Sequence, residues 1–151
     1  MTRGRLVWAL PALASLGLGV SWLAPSARGA RTSALDEVGH LRLVGKHGFT
    51  LYERGSASGT IRGAIYVRLT AISTSRVTAE LRIAPGGGSI SGYAAASYHA
   101  TGATAGFAGS MSIGHGTGSY ARVHGAGLSF SGTISHSNDA VTVHVAGHVS
   151  D

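Results

Sequence analysis

Residues 106–132, GFAGSMSIGHGTGSYARVHGAGLSFSG, restrict the folds open to this chain more than any other segment. Short alternating runs are separated by closely spaced glycines, and Gly116-Thr117-Gly118 forms a knot between two of them. Strands that bend hard need glycine, because only glycine tolerates the backbone angles and close approaches involved. The punctuation therefore points to a small closed β-structure.

The rest of the chain from Leu41 onward alternates with period two. In residues 60–72, Ile61, Ile65, Val67, Leu69 and Ala71 share one face, while Arg62, Tyr66, Arg68 and Thr70 share the other. Val77, Ala79, Leu81 and Ile83 likewise oppose Arg76, Thr78, Glu80 and Arg82. Near the end, Val141, Val143, Val145 and Val149 oppose Thr142, His144, Ala146 and His148. Such alternation belongs to strands with one face in a core and one in water. The first two long runs can be registered. A three-residue loop at Ser73, Thr74 and Ser75 sets Arg68 opposite Glu80 and Tyr66 opposite Arg82 outside. It also sets Val67 opposite Leu81 and Ile65 opposite Ile83 inside.

Turn signals at 54–59, 85–88, 100–104, 114–118 and 137–139 divide the chain into about eight strands. These are expected at 41–44, 60–72, 76–84, 89–99, 105–113, 120–125, 128–136 and 141–149, with a further short strand at 49–53. The fold class is all-β, an eight-stranded antiparallel barrel, with a two-sheet sandwich as competitor. Glycines inside strands (Gly63, Gly92, Gly109, Gly132 and Gly147) favour closure.

Residues 1–34 read as a signal peptide with a short polar tail, ahead of a barrel domain at 35–151. Arg3 and Arg5 precede an uncharged, mostly apolar stretch at 6–23, followed by small residues. Either Ala27-Arg28-Gly29 or Thr32-Ser33-Ala34 offers a small-x-small cleavage pattern. A retained membrane anchor is the alternative, which Pro11, Gly17 and Gly19 weaken. The expected location is secreted or periplasmic, with membrane contact only through an uncleaved leader. Four of the twelve basic residues (Arg3, Arg5, Arg28 and Arg31) belong to the leader and all six acids follow it. The remainder is then only slightly basic, which argues against nucleic acid as a partner. The absence of cysteine excludes disulfides, thiol catalysis and thiolate metal sites.

The run Gly109-Ser110-Met111-Ser112-Ile113, then Gly116-Thr117-Gly118-Ser119-Tyr120, then Gly125-Ala126-Gly127, resembles the allene oxide cyclase-like and dirigent-like barrels. Its specific part is residues 109–127. The resemblance implies an eight-stranded antiparallel barrel with an apolar cavity, often trimeric in plant members, that steers a reactive small molecule. His115 stands where that family has its first turn glycine, and Val123-His124-Gly125 replaces Ala-Arg-Gly. The family's functional acids find no match in Asp36, Glu37, Glu53 or Glu80, so its catalytic roles are not carried over.

No catalytic constellation emerges from the residues themselves. His144 and His148 have a metal-like spacing, but on a strand their backbones lie roughly 13 Å apart, too far for one ion. No Gly-x-Ser-x-Gly elbow occurs. Residues 114–118 lack the lysine and the following helix of a phosphate loop. Glu80 has Arg68 as partner, Asp139 sits in a turn, and Asp36-Glu37 falls at the unprotected start of the domain. No acid has an evident reason for a raised pKa. Neither a cofactor, a metal site nor a catalytic residue is assigned.

Two features remain. One is the inward set Ile65, Val67, Leu81, Ile83, Phe107, Met111, Ile113, Leu128, Phe130, Ile134, Val141, Val143 and Val145, free of ionisable groups. It is either a packed core or a lumen for a small apolar ligand, in which case Ile65, Val67, Leu81, Phe107, Met111, Phe130 and Val143 line the site. Glycines on the same face leave volume for such a cavity. The other is an outward strip of Arg62, Arg68, Arg76 and Arg82, suited to an anionic envelope polymer or to plain solvation. Tyr66 is its one aromatic platform, a further reason to set nucleic acid aside.

The first expectation is thus a binding protein for a small apolar molecule. A dirigent- or cyclase-like enzyme, which would need Arg122, His124 or Tyr98 in the lumen, and a structural or adhesive envelope protein are the alternatives.

Overall fold

A computed structural model of the chain describes residues 29–151; residues 1–28 of the expected leader lie outside them. Eight strands follow one another: β1 (Thr32–His47), β2 (Thr50–Gly59), β3 (Gly63–Ala71), β4 (Arg76–Ala84), β5 (Gly88–Thr101), β6 (Thr104–Gly118), β7 (Gly125–Ser135) and β8 (Ala140–Ser150). Each pairs antiparallel with its neighbours, and β1 pairs with β8 from Thr32↔Ser150 to Arg42↔Ala140, closing the barrel. The expected fold class is what forms.

The β3–β4 hairpin has the register expected from its alternation, with Arg68↔Glu80, Tyr66↔Arg82, Val67↔Leu81 and Ile65↔Ile83. The loop at 73–75 is closed by the Ile72 and Ser73 N–H groups donating to the Arg76 carbonyl. Four expectations about the elements need correction. Residues 114–118 are not a turn but the end of β6, with 115–118 paired to 88–91 of β5. Residues 54–59 are not a turn but most of β2, because both neighbouring strands are in register to accept that stretch as a ladder. Residues 120–125 are no strand; successive turn bonds, Tyr120 N–H to Thr117 O and Val123 N–H to Tyr120 O, coil them into a loop before Gly125. Residues 32–34 belong to β1 and not to a polar tail, so the barrel begins three residues earlier than expected.

All thirteen residues of the expected inward set are buried, and Phe107 and Phe130 stack at the centre with ring centroids 5.2 Å apart. Glycine holds the wall together at its sharpest points. A Cβ on Gly132 would run into both the Thr142 carbonyl and the Phe107 ring, so the strands can approach and the ring can lie flat only if that position stays bare. Large side chains lie against two further glycines. Met111 Cε occupies the space beside Gly92, and Ile65 Cδ1 lies 2.8 Å from where a Gly39 Cβ would stand. Eight strands leave an interior just wide enough for side chains to fill or for one small ligand.

Candidate functional site: the outer wall of β1–β6 and a buried acid behind it

The even-numbered residues of β1–β4 meet solvent, and their register fixes which stand side by side. One row runs Arg42–Arg54–Tyr66–Arg82–Ser91–His115 across six strands. At about 4.8 Å per strand it spans roughly 24 Å. A second row, two residues along, runs Tyr52–Arg68–Glu80–Tyr93–Ser112. Between and beside these side chains lies a groove of about 680 Å³ on the outer wall, lined by Tyr52, Tyr66, Arg68, Arg82, Tyr93 and His115 among others. The three tyrosines are among the large apolar-bodied side chains most exposed on the molecule.

The charge arrangement is lopsided. Arg68 and Glu80 form an ion pair, and their opposition satisfies both. Arg42 and Arg54, however, are cross-strand partners of like sign, which is an unfavourable placement for a sheet surface. Arg54 lies over the Tyr66 ring at 5.4 Å, a cation–π contact that leaves its charge without a counter-ion. Among the described residues the carboxylates that meet a basic side chain are Glu80, with Arg68, and Asp36, with His144, so Arg42, Arg54 and Arg82 have no carboxylate of their own. The strip expected from sequence changes accordingly. Arg62 falls in the loop between β2 and β3, Arg76 lies outside the groove lining, and Arg42 and Arg54 join Arg82 in one row. Tyr66 is joined by Tyr52 and Tyr93, where the sequence had offered it alone.

Behind this wall sits the departure from an all-apolar lumen. Glu53 and Glu37 both face inward and are 2% and 1% exposed. Glu37 accepts a hydrogen bond from the Ile61 N–H through Oε1, tying the β2–β3 loop to β1, while its Oε2 has no partner. Burial raises its pKa, the Ile61 bond opposes that, and neighbouring Asp36 adds to the rise. Glu53 has no partner on either oxygen. It lies between Leu43 and Val67 on the flanking strands, and burial alone pushes its pKa up to about 7. The expectation that no acid has a raised pKa is therefore overturned, as is that of an unprotected Asp36-Glu37: Asp36 instead holds His144 at 2.7 Å. The missed signal is alternation. Leu35, Glu37, Gly39 and Leu41 share one parity, as do Leu51, Glu53, Gly55 and Ala57, so both acids lie on faces with apolar residues at either side.

Of the lumen residues named from sequence, Ile65, Val67, Leu81, Phe107, Met111, Phe130 and Val143 are all buried together inside the barrel. Arg122 and His124 are exposed in the β6–β7 loop and its edge, and Tyr98 is half-buried against the core. His144 and His148 are exposed on β8, and among the described residues no group of three or more histidine or acidic side chains converges on one point. No protein-family model, curated protein or solved structure matches this chain.

Proposed function

We propose that this barrel is a binding module whose outer wall takes an extended, sparsely anionic polymer, an acidic polysaccharide, along the groove of Tyr52, Tyr66, Tyr93 and Arg82. The observation that carries this reading is the Arg42–Arg54–Tyr66–Arg82 row: like charges aligned across adjacent strands without acidic partners. Such a row repels itself in the free protein and is relieved when an anion lies along it. The exposed tyrosine rings beside the arginines offer apolar surface to the flat faces of sugar rings, with the sugar hydroxyls left for polar contacts. Ser91 and Ser112 add hydroxyl partners at the groove floor. Glu80 in the second row disfavours a ligand with a charge on every unit, such as a nucleic acid strand, and favours one whose charges are spaced.

The test is titration of the folded domain with hyaluronate, whose carboxylates fall on every second sugar, a neutral glucan and a single-stranded oligonucleotide. Hyaluronate should bind, and binding should weaken as salt rises from 50 to 300 mM. Arg82→Ala and Arg54→Ala should each weaken it about fivefold, the effect of roughly 1 kcal/mol. Equal binding of the neutral glucan, or tighter binding of the oligonucleotide, would overturn the reading.

One observation favours a second reading, a luminal ligand of the kind the sequence first suggested, whether simply held or steered through a reaction. Glu53 offers an unsatisfied hydrogen-bonding group among apolar side chains. A small apolar compound bearing one amine or hydroxyl is what would satisfy it, and stabilisation of the fold by such a compound, lost in Glu53→Leu, would support that ligand.

A further inference from the structure

We infer that Glu53 is a proton-operated latch in the wall that carries the groove, keeping the β1–β2 pairing closed when protonated and loosening it when ionised. The regulatory part of this inference rests on the groove reading above; the latch itself does not.

Three observations converge at this point of the wall. Glu53 is buried with both carboxyl oxygens unpartnered, so an ionised form has no protein group to receive its charge. Directly opposite, the β1 ladder slips: Leu43 pairs with Glu53, Gly45 pairs with Tyr52, and Val44 is the extra residue, thrown outward and 65% exposed. A bulge is a local break in pairing, where a strand gives way at least cost. Finally, the inward neighbours that close over Glu53 toward this end of the barrel, Leu43 and Leu51, are only half-buried. An ionised Glu53 thus has a short route to water past the bulge.

No other charge stands in for that route. On β1 the titratable side chains Arg42, Lys46 and His47 are exposed, and on β3 Tyr66 and Arg68 face outward. At the same end His136 and Asp139 are exposed in the β7–β8 loop. Across the lumen the buried side chains are apolar, with Tyr98 half-buried at the rim. Glu37 is six residues farther along the same ladder, opposite Gly59, roughly 20 Å away. The pKa of about 7 follows from that isolation.

The consequence for binding comes from chain neighbours. Tyr52 and Arg54 flank Glu53 on β2 and project to the opposite side of the wall, Tyr52 into the groove and Arg54 over Tyr66. Moving the β2 backbone to hydrate Glu53 displaces both. The groove is therefore formed at mildly acidic pH and loosened above neutrality.

Hydrogen exchange of the segment covering residues 41–54, corrected for intrinsic rates, reads the latch directly in the wild type, Glu53→Gln and Glu53→Leu. Wild-type protection should fall roughly tenfold or more between pH 5.5 and 8.5, and neither variant should show the fall. Hyaluronate affinity, measured on the same samples, should fall with it in the wild type only. Equal wild-type protection at both pH values, or a fall that persists in Glu53→Gln, overturns the latch. If hyaluronate binds at no pH while the exchange result holds, the groove reading fails and the latch stands.

Discussion

A carboxyl that must enter an apolar interior makes the fold depend on pH, and the sign follows from which form is favoured. In the unfolded chain Glu53 titrates near 4.5 and in the barrel at about 7, so the fold prefers the neutral acid. Its contribution is fully present below the unfolded value, declines as pH rises, and is gone above about 7. Between pH 5 and pH 8 the wild type should lose about 2–3 kcal/mol relative to Glu53→Gln, which keeps the shape without the charge. Urea midpoints at the two pH values, compared between wild type and variant, read this difference. Equal midpoint shifts in both proteins would show that Glu53 is hydrated in the folded state. Glu37 differs because its position supplies a donor. The Ile61 N–H stabilises the ionised form there, and the acid works as a clamp for the β2–β3 loop.

Elements were legible where alternation ran unbroken and hidden where a local irregularity intervened. The β3–β4 hairpin was readable down to its cross-strand pairs because both strands alternate cleanly and the loop contains only small hydroxyl residues. In β1 the bulge at Val44 shifts the parity between Leu43 and Gly45, so a reading that begins at Leu41 meets the break almost at once. It then misses the longer regular part, 32–43, on the other side. In β2 the glycine and serines of Arg54–Gly59 imitate a turn, and nothing local shows that Gly55 is bare because a Cβ would strike the His40 carbonyl. The groove was half visible for the same reason: Arg68, Arg82 and Tyr66 lie on the readable hairpin, while Tyr52 and Arg54 lie on the strand taken for a turn. The first residues of β1 also carry a testable consequence. Thr32, Ser33 and Ala34 pair with Ser150, Val149 and His148 across the closing seam. A chain starting at Arg31 should match the stability of one starting at Gly29, whereas one starting at Leu35 should lose about 1–3 kcal/mol through the missing ladder bonds. Of the two small-residue motifs, cleavage after Gly29 therefore leaves the seam whole. Identical thermal midpoints for all three chains would show that the seam does not depend on those pairs.

At the scale of the whole barrel, the direction in which the side chains face limits where it can reside. A membrane-spanning barrel turns an apolar band toward lipid and keeps polar residues for its interior. Here the order is reversed: the valines, isoleucines and phenylalanines turn inward, and serine, threonine, histidine and arginine turn outward. The exposed apolar side chains do not make up a belt. Phe49 and Ile72 stand at the rim turns, and Val44, Tyr52, Tyr66 and Tyr93 cluster on one side of the wall beside the arginines. Placing Arg42, Arg54, Arg68 and Arg82 against lipid would cost about 2–4 kcal/mol each near the bilayer midplane, with nothing on the opposite wall to offset it. Among the described residues, then, the barrel is a body for water, and any membrane contact it makes is at a surface. Residues 29–151 mixed with neutral phosphatidylcholine vesicles should remain at the bottom of a flotation gradient. With vesicles rich in an anionic lipid, the arginine row should draw a fraction of the protein upward at low salt, and 300 mM salt should release it. Flotation with neutral vesicles that survives high salt would mean that the outer wall buries apolar surface in lipid, and would overturn the inside-out arrangement.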